Sequence, residues 1–193
     1  MTSVTRQPDK LDYASPTQFS FGIHQLPKVQ FFSTAATIPA IALSDVVIPT
    51  PFKSIPMMGD QLTFDNLSIT YIVDEYLENF LSIHEWMTAI GFPKNRTQFS
   101  DFRANTSNTP TTRLGKTTEI GEVTKTTSIN ALFSDATLTV LSNKNNPIVN
   151  VFFRDLYPIA MSALDYNQGA TDVEYLTATV DFAYQIYEIE PIV

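Results

Sequence analysis

Side chains that commonly carry chemistry are scarce in this sequence. There is no cysteine, and the only histidines are His24 and His84. Without cysteine the chain cannot form disulfides, Cys-based zinc or iron–sulfur sites, or a thiol nucleophile. His84 falls on the apolar stripe of a predicted helix, so we interpret it as a packed helical residue rather than as a ligand or a base.

One cluster of carboxylates, formed by Asp74, Glu75 and Glu78, has the residue types of an acid–base site. The same residues stand at the start of a predicted helix, where an Asp N-cap and negative charge are both favourable. Helix capping explains them without a further assumption. The sequence also lacks a Gly-rich phosphate loop, HExxH and GxSxG motifs and EF-hand spacing. We therefore expect no enzymatic activity, and no cofactor or metal.

The composition favours one β-rich domain spanning residues 1–193. Hydrophobic residues make up 44% of the chain, charged residues only 17%, and there are 24 threonines, which favour strands. Since soluble domains carry roughly 25% charged residues, the low charge indicates surfaces that partners cover. The net charge of −8 disfavours binding to nucleic acid. No segment has the pattern of a signal peptide or a membrane span, so we expect a soluble protein that does not contact a membrane.

Four prolines fall close together in an apolar stretch, at Pro39, Pro49, Pro51 and Pro56. Each removes a backbone donor and favours extended backbone in the residue before it. Residues 39–60 are therefore predicted to form a long loop or an edge segment that ends at a Gly59-Asp60 turn. Two interpretations stay open: a loop folded over its own core, or an arm whose prolines contact a neighbouring subunit.

Residues 62–73 alternate between apolar and polar in two phases, which predicts a strand with a bulge at Asp65-Asn66. A helix is predicted over residues 75–90, with Asp74 as its N-cap and a stop at Gly91. Its apolar stripe includes Phe80 and Leu81 and predicts that the helix packs across a sheet. Trp86 lies near the edge of that stripe, so a subunit contact and the rim of the core are both open.

Further strands are predicted around residues 136–140 and 149–153, and over a long final segment from Leu176 to Ile186. The final segment alternates strictly, which is typical of an antiparallel sheet with one buried face. Two other segments are polar: residues 1–18, predicted as an N-terminal arm, and residues 94–128, predicted as a long loop or exposed hairpin. The latter holds six of the 12 basic residues and only three acids.

The order and spacing of these elements over residues 29–93 resemble the tail tube proteins of contractile-tailed, T4-like bacteriophages. Residues 172–189 resemble the final strand of that family more loosely. The shared features are a small-residue stretch with Pro39, the Pro-rich loop, the Gly59-Asp60 turn, a strand with Phe64, the V-D-E sequence at residues 73–75 and a helix with Trp86.

The resemblance implies a mainly β fold, an antiparallel β-sandwich or barrel flanked by one α-helix. It implies subunits that join as hexameric rings, which stack into the hollow inner tube of a tail through which phage DNA is ejected. The implied partners are copies of the chain, the tail sheath protein, and the baseplate and tail-terminator proteins. The tape measure protein and DNA would pass through the lumen without sequence-specific binding. The implied location is the tail of a virion, assembled in the host cytoplasm.

Other functions with the same implied fold are a baseplate tube initiator, a tube-end protein, or the tube of a phage-like contractile injection system. A β-sandwich binding module is a more remote alternative. Residues 155–190 carry seven acids and no Lys or Arg, whereas residues 94–128 are basic. Because complementary ends favour head-to-tail stacking, we expect Arg113, Lys116 and Lys125 to contact the adjacent ring, although a solvated loop facing the sheath is the alternative.

Overall fold

The computed structural model describes residues 13–24, 26, 32–91, 93–95, 97–98, 133–169 and 175–192. These residues form nine strands and one helix, and every strand pair is antiparallel. The elements are β1 (Phe19–Ile23), β2 (Ser33–Ala36), β3 (Ile41–Ile48), β4 (Ile55–Phe64), β5 (Leu67–Ile72), α1 (Glu78–Gly91), β6 (Ser134–Leu141), β7 (Pro147–Met161), β8 (Thr177–Ala183) and β9 (Ile186–Pro191).

Strand β7 belongs to both halves of a seven-stranded sheet. Its first part pairs with β6 and β9, whereas its last residues, from Tyr157 onward, pair with β8. The chain changes direction at Asp155, whose φ of 51° is unusual for a residue with a Cβ. The amide of Asp155 donates to Asp135 Oδ1 over 3.1 Å, which fixes the corner.

The two halves enclose a single hydrophobic core. Strands β1, β6, β7 and β9 form one half, and β7, β8, β5 and β2 form the other. Alternate residues of β5 and β8 are buried, as the sequence alternation predicts, among them Leu67, Ile69 and Val180. Phe21 and Phe153 fill the core from the other half. The predicted antiparallel β fold with a flanking helix is thus confirmed, but the described strands do not close into a barrel.

The helix begins later than predicted, at Glu78 rather than near residue 75. Leu77 has a φ of 57°, which ends a turn closed by its amide on the Asp74 carbonyl. The start is held by Asn79, whose Oδ1 accepts from the amides of Asp74 and Phe80 and whose Nδ2 donates to the Ile72 carbonyl. The predicted N-cap role of Asp74 is therefore wrong, because the helix starts four residues after it. The buried side-chain amide of Asn79 joins the end of β5 to the first turn of the helix.

The buried face of α1 is narrower than the sequence stripe. Asn79, Ile83, Trp86 and Ala89 are buried, and Phe80 packs partly against the core. Leu81 is 48% exposed, because it lies about 160° around the helix from Ile83. The predicted core positions of Leu81 and His84 are wrong, since both point to solvent.

Trp86 lies in the centre of the core rather than at its rim or at a subunit contact. Its side chain is fully buried, and its ring centroid is 6.3 Å from that of Phe182 on β8. The helix packs against the sheet at β7, and Trp86 reaches Phe182 on the neighbouring β8, so the predicted packing of a helix on a sheet is confirmed.

Two segments that the sequence predicts as single strands are each divided in the structure, one between the two sheets and the other between the two halves of the seven-stranded sheet. The bulge expected at Asp65-Asn66 is the point where the chain leaves β4 for β5, which lie in different sheets. The long final segment breaks after Ala183, and β9 then pairs with the other half of the sandwich. At Asp65-Asn66 the change of phase in the side-chain pattern marks the change of sheet, whereas the strict alternation of the final segment gave no sign of its break.

Residues 39–60 are not a loop. They form most of a β-hairpin, β3 and β4, and Gly59 lies inside β4 rather than in a turn. Prolines are compatible with this arrangement, because a two-stranded hairpin leaves half of the backbone donors unpaired. Among the other predicted segments, most of the 1–18 arm and nearly all of the 94–128 segment lie outside the described residues.

Replacing Ile83 by Ala should lower the free energy of unfolding by about 2–5 kcal/mol, because it leaves a cavity beneath the helix. Leu81→Ala is the matched control on the exposed side of the same helix and should change it by less than about 0.5 kcal/mol. Chemical denaturation followed by the fluorescence of Trp86 measures both. Equal losses for the two variants would contradict the described orientation of α1.

The buried residue Tyr71 makes the free energy of unfolding depend on pH in the alkaline range. The Tyr71 hydroxyl has no hydrogen-bond partner among the described residues, and burial raises the pKa of Tyr71 to about 12. An unfolded tyrosine titrates near pH 10, so the folded state binds the proton more tightly. The contribution of this proton to the free energy of unfolding is fully present below pH 10, and it is lost as the pH rises towards 12.

Tyr71→Phe should therefore keep or raise the free energy of unfolding at neutral pH, by on the order of 1 kcal/mol, because an unpaired buried hydroxyl is removed. It should also reduce the loss of stability between pH 10 and 12. Denaturant titrations at pH 7 and across that alkaline range provide both measurements. A large loss at neutral pH would show that the hydroxyl has a stabilising partner.

Candidate interaction surface

The structure places most of the residues first considered for chemistry at exposed positions. In the described part of the chain, no group of three His, Cys, Asp or Glu side chains could hold a metal ion. Glu75, Glu78, His24 and His84 are exposed and lie at the surface of turns or of the helix. Within the described ranges, no helix is long and apolar enough to span a membrane.

The most unusual feature of the surface is the β3–β4 hairpin. Both strands are exposed along their length, apart from partial cover at Ser44 and Gly59. Eleven of its large apolar side chains are at least 39% exposed: Ile41, Leu43, Val46, Val47, Ile48, Phe52, Ile55, Met57, Met58, Leu62 and Phe64. Only three residues of the hairpin are charged, Asp45, Lys53 and Asp60.

This exposed area is too large for an ordinary monomer surface. With about half of each side chain accessible, it is on the order of 1,000 Å², whereas the largest apolar patch of a typical monomer covers about 300–600 Å². A stable interface buries about 800 Å² on each partner. The hairpin therefore offers, by itself, the area of a stable interface.

The cross-strand register defines what each face of the hairpin carries. Nearest the sandwich, Ile41 is opposite Phe64 and Leu43 is opposite Leu62, so one face is apolar. The opposite face there carries Ala42 and Thr63. The base half of the hairpin, residues 41–43 and 62–64, is thus apolar on one face only.

The outer half of the hairpin, residues 45–58, carries apolar side chains on both faces, and Asp45 is the one charged residue in its paired strands. Val47 lies opposite Pro56 and Asp45 opposite Met58 on what we call the first face. The second face carries two pairs, Val46 with Met57 and Ile48 with Ile55. At the turn, Phe52 is fully exposed, and the Thr50 hydroxyl bonds to Lys53.

A bulge separates the two halves. Between Leu43 and Asp45 the register shifts, and Ser44 lies against Gly59. The hydroxyl of Ser44 accepts a hydrogen bond from the Gln61 amide. A Cβ on Gly59 would lie 2.5 Å from the Ser44 carbonyl oxygen and 2.9 Å from its carbon. Glycine is required here because the two backbones approach so closely.

Two tyrosines hold the base of the hairpin against the sandwich. Tyr187 on β9 donates to the carbonyl of Pro39, which precedes β3, over 3.2 Å. Tyr184 donates to the carbonyl of Asp65, which follows β4, over 2.8 Å. Burial, together with the nearby Tyr187 and Asp65, raises the pKa of Tyr184 to about 12, so the hydroxyl keeps its proton at neutral pH.

The rings of these tyrosines continue into the core. The Phe64 and Tyr187 rings meet edge to face with centroids 5.8 Å apart, and Phe153 lies 5.3 Å from Tyr184. Since Phe153 is fully buried, this aromatic cluster joins the hairpin to the core itself. The hairpin therefore projects from a fixed base.

The four prolines singled out from the sequence are divided by the fold. Pro39 is buried at the base of the hairpin, Pro49 and Pro51 lie at its turn, and Pro56 lies in β4 opposite Val47. The basic residues Arg113, Lys116 and Lys125 lie outside the described residues. Sequence reasoning did not single out Met57 and Met58, although an apolar run with almost no charge was the available signal.

No protein-family model matches the chain, and no curated protein sequence matches it. Among solved structures, it is similar to a chain of the anti-feeding prophage cap, which terminates a tube, with a TM-score of 0.59 at 12% identity. That similarity covers 98% of this chain and 99% of the other. A chain of the six-fold symmetrised anti-feeding prophage baseplate is similar with a TM-score of 0.56 at 10% identity, over 92% and 95% of the two chains.

The chain has the fold of tail cap and baseplate proteins. The resemblance to tail tube proteins noted in the sequence is thereby confirmed at the level of the fold. The similarity of fold extends over nearly the whole length of both chains.

Gly59→Ala should disturb the hairpin without unfolding the tail fold, because its Cβ collides with the Ser44 backbone. We expect faster amide hydrogen exchange in the outer half of the hairpin, at Val46 and Met57, and an unchanged free energy of unfolding of the sandwich. Gly91→Ala is the matched control, because a Cβ there meets only open space. Unchanged exchange in Gly59→Ala would contradict the described bulge.

Proposed function

We propose that this chain is a structural subunit of a contractile tail or contractile injection system, and that it assembles with copies of itself through the β3–β4 hairpin. The observation that carries the proposal is the apolar hairpin, which has the area of an interface and a rigid base. A surface of this size cannot stay in water without association. The tail fold supports the kind of assembly in which such contacts occur.

The first candidate is the main tube subunit, which would form hexameric rings that stack head to tail. Such heterologous contacts generate rings and open filaments rather than closed dimers. The partners would then be the sheath, baseplate and terminator proteins, and the lumen would pass the tape measure protein and DNA. A net charge of −8 on each subunit would repel DNA and keep it from adhering to the wall.

The second candidate is a protein of the tube end or the baseplate. The observation that favours it is the similarity of fold to a cap chain and a baseplate chain of the anti-feeding prophage. Both candidates are structural, non-enzymatic roles in the tail. The contact between rings through Arg113, Lys116 and Lys125 stays a prediction under either one.

The proposal is tested by placing a charge on the hairpin. Met58→Asp should leave the subunit folded but raise the concentration needed for assembly at least tenfold, because an unpaired charge would be buried at the contact. Sedimentation velocity and negative-stain images of rings or tubes provide the measurement. Trp86 fluorescence confirms that the sandwich is intact.

Met58→Leu is the control, since it keeps an apolar side chain of similar volume and should assemble like the wild type. Normal assembly of Met58→Asp would show that the hairpin is not part of the contact. A wild-type chain that stays monomeric at its highest soluble concentration would contradict self-assembly.

A further inference from the structure

The outer half of the hairpin differs from its base half in one respect that limits how it can be covered. An amphipathic strand pair can lie flat on a single partner, with its polar face in water. The base half, with Thr63 and Ala42 on one face, fits that arrangement. The outer half does not, because both of its faces carry exposed aliphatic and methionine side chains.

A single flat partner would leave half of this apolar surface in water. On the first face Val47 is 53% exposed and Met58 86%, and on the second face Val46 is 58% exposed and Met57 51%. The hairpin is also only one layer thick, and no other element among the described residues covers either of its faces. Complete burial therefore requires protein on both sides.

The chain itself carries surfaces that match. Exposed aliphatic side chains lie on the body of the sandwich, on β7 and β9 and just beyond: Ile148, Ile159, Ile186, Ile189 and Ile192. The amide of Ile192 donates to the Ile148 carbonyl, which brings these two residues together at one end of the sheet. Since hairpin and body carry unlike apolar surfaces on one molecule, a contact between copies is heterologous and leaves each copy with further surfaces to fill.

Resting on the self-assembly proposed above, we propose that the outer half of the hairpin is enclosed between two other copies of this chain, one against each face. The binding site for the hairpin is then composite, and it does not exist until two copies are already in contact. A first encounter between two free subunits covers only one face. Growth on an existing assembly covers both, so it should be favoured over the association of free subunits.

The absence of cysteine allows a direct test. Val46→Cys and Val47→Cys place single thiols on the second and first faces, respectively. A benzophenone maleimide is attached at both positions of a doubly substituted tracer chain, which is assembled in a large excess of unlabelled wild-type chain and then irradiated. Tracers labelled at one position only are the controls.

On a denaturing gel the doubly labelled tracer should give a product of three chains, and each singly labelled tracer a product of two. A doubly labelled tracer that gives only two-chain products would overturn the composite site, while the assembly itself would still support the proposed function. If the wild-type chain forms no assembly at all, both the composite site and the proposed function fail.

A second measurement does not depend on the bulky label. In assemblies of the Val46→Cys or Val47→Cys chain, both thiols should react with iodoacetamide at least tenfold more slowly than in the unassembled chains. A thiol on either face that keeps its full reactivity in the assembly would show that this face stays in water, and would overturn the proposal.

Discussion

The main physical constraint on this structure is that the long apolar β3–β4 hairpin is exposed to water. Because apolar area in water is unfavourable in proportion to its size, a hairpin with eleven exposed large apolar side chains is stabilised when a partner covers it. Hydrogen bonds from Tyr184 and Tyr187 tie the two chain ends of this hairpin, at Asp65 and Pro39, to the sandwich.

The sandwich provides the rigid base that this arrangement needs. Strand β7 joins the two halves, and the aromatic rings at its centre connect the core to the hairpin through Phe153, Tyr184 and Tyr187. Trp86 joins the helix to the same core through its contact with Phe182 on β8. A displacement of the hairpin would therefore disturb the core, which fixes the direction in which the apolar surface points.

Similarity of fold at 10–12% identity shows that little of the architecture depends on particular side chains. In this chain the fold rests on a pattern: alternating apolar residues in two sheet halves and one amphipathic helix packed against them. Such a pattern can be met by many sequences, since a core tolerates substitutions that keep volume and polarity. A surface that binds a partner, as proposed for the hairpin, depends on individual residues more strongly, because each side chain in the contact must meet one of the partner's.

The sequence by itself determined the β-rich class, the amphipathic helix that ends at Gly91, the alternating strands and the absence of catalytic motifs, because these follow from local periodicity and residue type. Only the tertiary structure decided that residues 41–64 pair as a projecting hairpin, that Leu81 is exposed, and that Asn79 rather than Asp74 holds the helix start. Local pattern could not decide these points. An apolar residue has the same local preference whether its neighbour is its own core or water, and the choice depends on which distant strands reach it.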